Sequence, residues 1–90
     1  MYTLIDNQEK NQYEFHIEGH IAKIEYKLKG ERIYLIHTEV PKAIGGRGIG
    51  SMLVKRVLED IQDRGLNLVP LCPFVAAYLK EHPEWNLLTT

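Results

Sequence analysis

The run Gly45-Gly46-Arg47-Gly48-Ile49-Gly50-Ser51 limits what this chain can fold into more than any other part of it. It stands between a β-like segment ending at Val40-Pro41 and an amphipathic segment of helical period that begins near Gly48. Glycines at this density let the backbone turn sharply and approach a ligand closely. The first free N–H groups of a helix carry partial positive charge, so the junction suits an anion, above all a phosphate or pyrophosphate. Spacing excludes two common nucleotide loops. A P-loop has Lys directly before its Ser or Thr, whereas Gly50 precedes Ser51. A Rossmann fingerprint has its third glycine three positions after its second, and counting from Gly46 and Gly48 puts Ser51 there.

Around this junction the periodicity is readable. Tyr13, Phe15 and Ile17 alternate with polar neighbours, Glu18-Gly19-His20 interrupts, and Ala22, Ile24, Tyr26 and Leu28 alternate again, which predicts a hairpin. Residues 33–40 are more continuously apolar and predict a strand in the sheet interior. A short edge strand is expected at residues 2–5. From 49 to 64 a stripe of Ile49, Leu53, Val57 and Ile61, flanked by Val54 and Leu58, opposes Lys55, Arg56, Glu59, Asp60, Gln62 and Asp63. Gly65 provides a left-handed stop. Residues 66–71 read as a buried strand, and Pro73 opens a second helix reaching about Glu81.

Strand, glycine loop, helix and strand make a right-handed βαβ crossover between parallel neighbours. The expected architecture is an α+β layered fold over residues 1–90 as a single domain, with a mixed, mainly antiparallel sheet, the βαβ unit and a C-terminal helix. Ninety residues lie near the lower limit for a core without metal or disulfide support, which leaves room for one helical layer on one sheet.

Charge and cysteine usage narrow the partners. With 11 basic and 12 acidic side chains mixed along the chain, no overall basic field argues for nucleic acid. A single cysteine excludes an internal disulfide framework and suits a reducing compartment. Met1 to Asp6 shows no basic region followed by a long apolar segment, and no run approaches membrane-spanning length. These features predict a monomeric, cytoplasmic protein that uses no membrane. His16 and His20 bracket the Gly19 turn without a nearby cysteine, so no metal site is predicted. Trp85, with Phe74 and Tyr78 upstream, is expected to anchor the C-terminal segment on the sheet.

The glycine loop, His37-Thr38-Glu39-Val40-Pro41 before it and Val69-Pro70-Leu71-Cys72-Pro73 after it together resemble one known family. This is the small single-domain branch of the GNAT superfamily of acetyl-coenzyme A dependent N-acetyltransferases, and the resemblance runs from about Tyr13 to Trp85. Gly48 and Gly50 match the superfamily's phosphate loop, while Gly45 stands where Arg or Gln is usual. The resemblance implies that the strands at 33–40 and 66–71 splay apart and that the pantetheine arm lies between them like an extra strand. It implies pantetheine bonds from backbone groups around Thr38, Glu39 and Val40, and a pyrophosphate held by Gly46, Arg47, Gly48, Ile49, Gly50 and Ser51. Arg47 either pairs with a phosphate or is a solvent-exposed loop arginine. It also implies that His37 and Cys72 face the thioester.

Two chemical routes stay open at this point. Cys72 ends a strand and precedes Pro73 at a helix start, where positive partial charge favours a nucleophilic thiolate that could carry the acetyl group, with His37 moving its proton. Glu39 shares a strand face with His37 by period two and is an alternative base for direct transfer to an amine. Tyr78 lies about one residue from the tyrosine that many members use as acid, which points to packing. The helices that shape the acceptor site in larger members have no counterpart around Glu18-Gly19-His20. The open cleft this leaves could admit a protein lysine, an amino terminus or a small amine. The reading is an N-acetyltransferase acting from acetyl-coenzyme A on an unidentified amine or protein acceptor. Its alternatives are a coenzyme A binding module without turnover and an interaction domain whose glycine turn is structural.

Overall fold

The computed structural model describes residues 2–89. Strands β1 (Ile5–Asn7), β2 (Gln12–Ile17), β3 (His20–Lys29) and β4 (Arg32–Glu39) precede helix α1 (Ile49–Asp63), and β5 (Asn67–Pro70) and α2 (Pro73–Glu81) follow it. Short 3-10 turns occupy Lys42–Ile44 and Pro83–Thr89. The sheet runs in sequence order, β1 to β5, antiparallel except for the parallel pair β4 and β5 that α1 connects. The expected mixed sheet, βαβ unit and C-terminal helix are therefore present.

Both helices pack on one face of the sheet. Tyr13 and Phe15 of β2, Ala22 and Ile24 of β3, Ile33 and Leu35 of β4 and Leu68 of β5 form one core with Leu53, Val54, Val57, Leu58 and Ile61 of α1 and Val75 and Leu79 of α2. Burying each large aliphatic side chain contributes about 1.5 to 3 kcal/mol, so this shared face dominates the fold. Trp85 packs against the same core from the C-terminal turn.

Two expectations need correction. The edge strand begins only at Ile5, the last residue of the expected 2–5 window, and runs on to Asn7, because the tight turn closed by the Lys10 N–H on the Asn7 carbonyl leaves residues 5–7 opposite β2. Tyr2 instead sets its ring 5.5 Å from that of Phe15. β4 does lie in the sheet interior, between β3 and β5, but the second correction concerns its apolar run, which does not all face the core. Ile33 and Leu35 are fully buried but Ile36 is 44% exposed. Tyr26 aligns with Leu35 and Glu25 with His37, so Ile36 is an extra residue, a β-bulge. Side chains alternate with period two, so one extra residue reverses the facing of all that follows. Thr38 accordingly aligns with the core residue Ile24, while His37 and Glu39 align with Glu25 and Lys23 on the open face.

The C-terminal end of α1 is fixed by a polar network. The Tyr13 hydroxyl donates to Asp60 Oδ2 (2.6 Å) and the Tyr26 hydroxyl to Asp6 Oδ1 (2.6 Å). Arg64 Nη1 bonds Tyr13 Oη (3.0 Å) and Asp6 Oδ2 (3.2 Å). Burial, then the hydrogen bonds to these carboxylates, push both tyrosine hydroxyls well above their ordinary range.

On the open face the carboxylate of Glu14, a buried residue, accepts hydrogen bonds from Asn7 Nδ2 (2.9 Å), Gln12 Nε2 and His16 Nε2 (2.7 Å). Burial pushes its pKa up, but the three donated bonds outweigh it and hold the group below the usual glutamate value. A depressed folded-state pKa contributes stability above the unfolded value, and that contribution is lost as pH falls through the folded one. Glu14→Gln is expected to lower stability by about 1 to 3 kcal/mol at neutral pH. The gap to the parent should narrow on acidification, as read from urea denaturation midpoints; a gap that stays constant with pH would show that the carboxylate charge is not what stabilises this cluster.

Candidate functional site

The strand-to-helix junction is built by glycine geometry. Gly46 (φ 76°) and Gly48 (φ 72°) lie in the left-handed region, which penalises any side chain with a Cβ. Gly48 is the N-cap residue of α1 and has no side chain to cap the first helical N–H groups. Gly50 is small for a different reason: a Cβ there would lie 2.8 Å from Cζ of Phe74, at the start of α2, and the ring would have to move aside. The junction opens into a cleft of ≈ 490 Å³ lined by Val40, Lys42, Gly45, Gly46, Gly48, Ile49, Gly50, Ser51 and Phe74.

Sequence reasoning missed three of these residues as binding residues, Lys42, Gly45 and Phe74, the glycine reading in sequence only as a departure from the loop pattern. Lys42 is a cation three residues before Gly45, held by a 3-10 turn whose Ile44 is fully buried. Its signal was its position, one residue after Pro41. Phe74 is a surface aromatic whose contact with Gly50 is long-range and carries no local signal.

Arg47 does not line the cleft. Its Nη1 and Nη2 donate to Glu18 Oε2 (2.7 Å) and Oε1 (3.1 Å), joining the glycine loop to the turn between β2 and β3. The paired bonds raise the guanidinium's pKa and lower that of the Glu18 carboxyl. Both groups are exposed, so the pair positions the loop more than it stabilises the fold.

Pairing between β4 and β5 ends at Leu35 and Pro70, whereas β4 continues to Glu39. The Leu35 carbonyl there accepts both the Leu71 N–H (3.0 Å) and the Cys72 N–H (2.9 Å), and the chain turns into α2. Cys72 is the N-cap residue of that helix and is 3% exposed, with its Sγ 3.2 Å from Thr38 Oγ1. The neighbour that the structure gives Cys72 is thus the Thr38 hydroxyl. His37 and Glu39 do share a face, the open one, where Glu39 Oε1 lies 3.7 Å from Lys23 Nζ. His37 and Cys72 consequently flank the β4–β5 gap from opposite faces of the sheet. The sequence could not show this, because it follows from the bulge at Ile36.

Tyr78 is 8% exposed and stacks on His82 with ring centroids 4.0 Å apart, and burial pushes its hydroxyl pKa up. That is a packing arrangement. Among the described residues there is no group of three or more His, Cys, Asp or Glu able to hold a metal ion. No helix among them is long and apolar enough to cross a membrane.

Residues 12–88 match the family described as GCN5-related N-acetyl-transferase. The chain belongs to that family. The mouse (Mus musculus) Protein NATD1 is 34% identical over 80 residues, covering 86% of this chain and 73% of its own length. The human (Homo sapiens) Protein NATD1 is 40% identical over 63 residues, 69% of this chain and 56% of its own. The chain thus spans little more than half of the human relative. A solution structure of a GCN5-like protein from Staphylococcus aureus shares the fold, with a TM-score of 0.72 and 23% identity, over 94% of this chain and 84% of that one.

GCN5-related transferases generally use acetyl-coenzyme A, and the residues here fit such a group. An uncapped helix start, two left-handed glycines and Lys42 offer N–H donors and positive charge to a diphosphate. Phe74 is 44% exposed, so its ring can swing out if Gly50 acquires a side chain. Gly50→Ala is therefore expected to keep the fold, with an unchanged far-ultraviolet spectrum, and to weaken coenzyme A binding about tenfold. Adding Phe74→Ala should restore most of that loss; failure of the pair to couple would show that their contact does not shape the cleft.

Proposed function

We propose that this chain is an acetyl-coenzyme A dependent N-acetyltransferase that acts on an amine acceptor. The observation that carries the reading is spatial convergence. The glycine-lined cleft at the start of α1 includes Val40, and the strand leading to Val40 also bears Thr38, bonded to Cys72 at the point where β4 and β5 separate. Bound acetyl-coenzyme A supplies an acetyl group activated as a thioester.

The chain's own residues divide the remaining work. Backbone N–H groups of Gly46, Gly48, Ile49, Gly50 and Ser51 hold the diphosphate, and Lys42 adds charge. Arg47 serves through Glu18, as a brace for the loop. The β4 edge beyond Leu35, around Thr38, Glu39 and Val40, presents backbone donors and acceptors along the stretch that β5 leaves unpaired. On the helix face, Thr38 orients the Cys72 sulfur as a nucleophile. On the open face, Glu39 or His37 takes the proton of an arriving amine, a role that their shared face supports. A reducing, cytoplasmic setting belongs to the same proposal, since the thiol of Cys72 is free.

Calorimetric titration with acetyl-coenzyme A, with ATP and NAD as controls, followed by intact-mass analysis, tests the reading. Selective binding of acetyl-coenzyme A is expected. Gly48→Val, which forces a β-branched residue into the left-handed region, should abolish binding while most of the fold survives. Unchanged affinity in that variant, or no binding by the parent, would refute the proposal. A one-acetyl mass gain that disappears in Cys72→Ser marks transfer through the cysteine. Full activity in Cys72→Ala marks direct transfer with Glu39 or His37 as base.

A further inference from the structure

The open face of the sheet holds another pocket, which shares no lining residue with the glycine cleft. A cavity of ≈ 230 Å³ is lined by Lys27 and Lys29 of β3, Tyr34 and Ile36 of β4, and Leu71 just past β5. Ile36 and Leu71 are large apolar side chains 44% and 60% exposed. They meet there because Ile36 is the bulged residue and because Leu71 points opposite to its buried neighbour Cys72. Among the described residues neither Lys27 nor Lys29 has an ion-pair partner. Their charge is available to something from outside.

Charge reverses within the same face. On β3 the open-face residue next to Lys27 is Glu25, which aligns with His37, while Lys23 beside it aligns with Glu39. The surface thus runs from two unpaired lysines, across Tyr34, Ile36 and Leu71, to the acidic end of β4, which borders the β4–β5 gap. Strand geometry puts Glu25 about 7 Å from Lys27 and about 13 Å from Lys29 along the strand, the span of two to four extended residues. Among the described residues the helices pack on the opposite face and none covers this one. A small amine would stay largely solvated on such a surface, whereas sites for small ligands enclose most of the ligand. An extended polypeptide can follow the row of side chains.

We propose that this pocket receives the acceptor as a polypeptide segment: a lysine directed to the gap beside His37 and Glu39, with aspartate or glutamate about two to four residues away over Lys27 and Lys29. Its role as an acceptor site rests on the acetyltransferase reading, whereas the docking itself does not.

Three blocked peptides with one lysine each test it, differing in whether the flanking positions hold Asp and Glu, Asn and Gln, or Arg. Each is titrated into the isotope-labelled full chain by NMR and assayed as acceptor with acetyl-coenzyme A. The acidic peptide is expected to bind about tenfold more tightly than the neutral one, with weakening by salt. Its shifts should centre on Tyr34, Ile36 and Leu71, and it should be the best acceptor. The double variant Lys27→Glu with Lys29→Glu, at exposed positions, should reverse the preference toward the arginine peptide. Equal binding of the three peptides, shifts centred on the helix face, a preference untouched by the double variant, or a free small amine outcompeting every peptide would each overturn the proposal. Acidic-peptide binding by a chain that binds no acetyl-coenzyme A would refute acetyl transfer and leave the docking surface standing.

Discussion

One extra residue in β4 sets which side chains face each side of the sheet around the candidate site. Period-two alternation is rigid, so inserting Ile36 between the pairs Tyr26–Leu35 and Glu25–His37 inverts the rest of the strand. Without the bulge, His37 and Glu39 would enter the helix-covered core and Thr38 would lie in solvent. With it, Thr38 meets Cys72 in the interior, Val40 lines the glycine cleft, and two titratable side chains face the open surface. The sheet becomes a partition, with a small hydroxyl and a thiol on one side and an imidazole and a carboxylate on the other, and the β4–β5 gap as the opening between them.

That partition holds its shape because α1 is fixed at both ends by different forces. At its far end Asp60 and Arg64 join hydroxyls from β2 and β3 and a carboxylate from β1, so a single polar network spans three strands. At its near end the buried Ile49 seats the helix in the core, with the ring of Phe74 against Gly50 in the space a side chain would take. Between the ends, the fully buried Leu53, Val57 and Ile61 form the greasy keel of the helix. A helix held in this way presents its N-terminal N–H groups from a fixed platform. That is what electrostatic recognition of an anion requires.

Much of this was legible in the residues. The 3.6-residue stripe placed α1 nearly to its ends, and Pro73 marked the start of α2, because amphipathic period and proline geometry act locally. The glycine loop was legible because left-handed backbone is written almost directly in glycine. What escaped has a common cause. The bulge leaves no mark in the run Ile33-Tyr34-Leu35-Ile36, where every residue is apolar and alternation cannot be seen to skip. Phe74 on Gly50, Thr38 on Cys72 and Glu18 on Arg47 are contacts between distant segments, which exist only once the topology is set. The open-face pocket depends on the parity of two strands at once, so it was invisible too.

The separation of β4 from β5 has a consequence for solubility. A stretch of strand with one side unpaired is the feature through which β-sheet proteins recruit one another into aggregates. This chain keeps that hazard small. The bare stretch is confined to Ile36–Glu39, one end of it is kinked by the bulge, and the other end carries the charge of Glu39. At the other end of the sheet, the β1 edge is three residues long. An exposed edge is tolerable when it is short, bent and charged, and a ligand that adds itself as the missing strand removes the hazard by the same contacts that bind it.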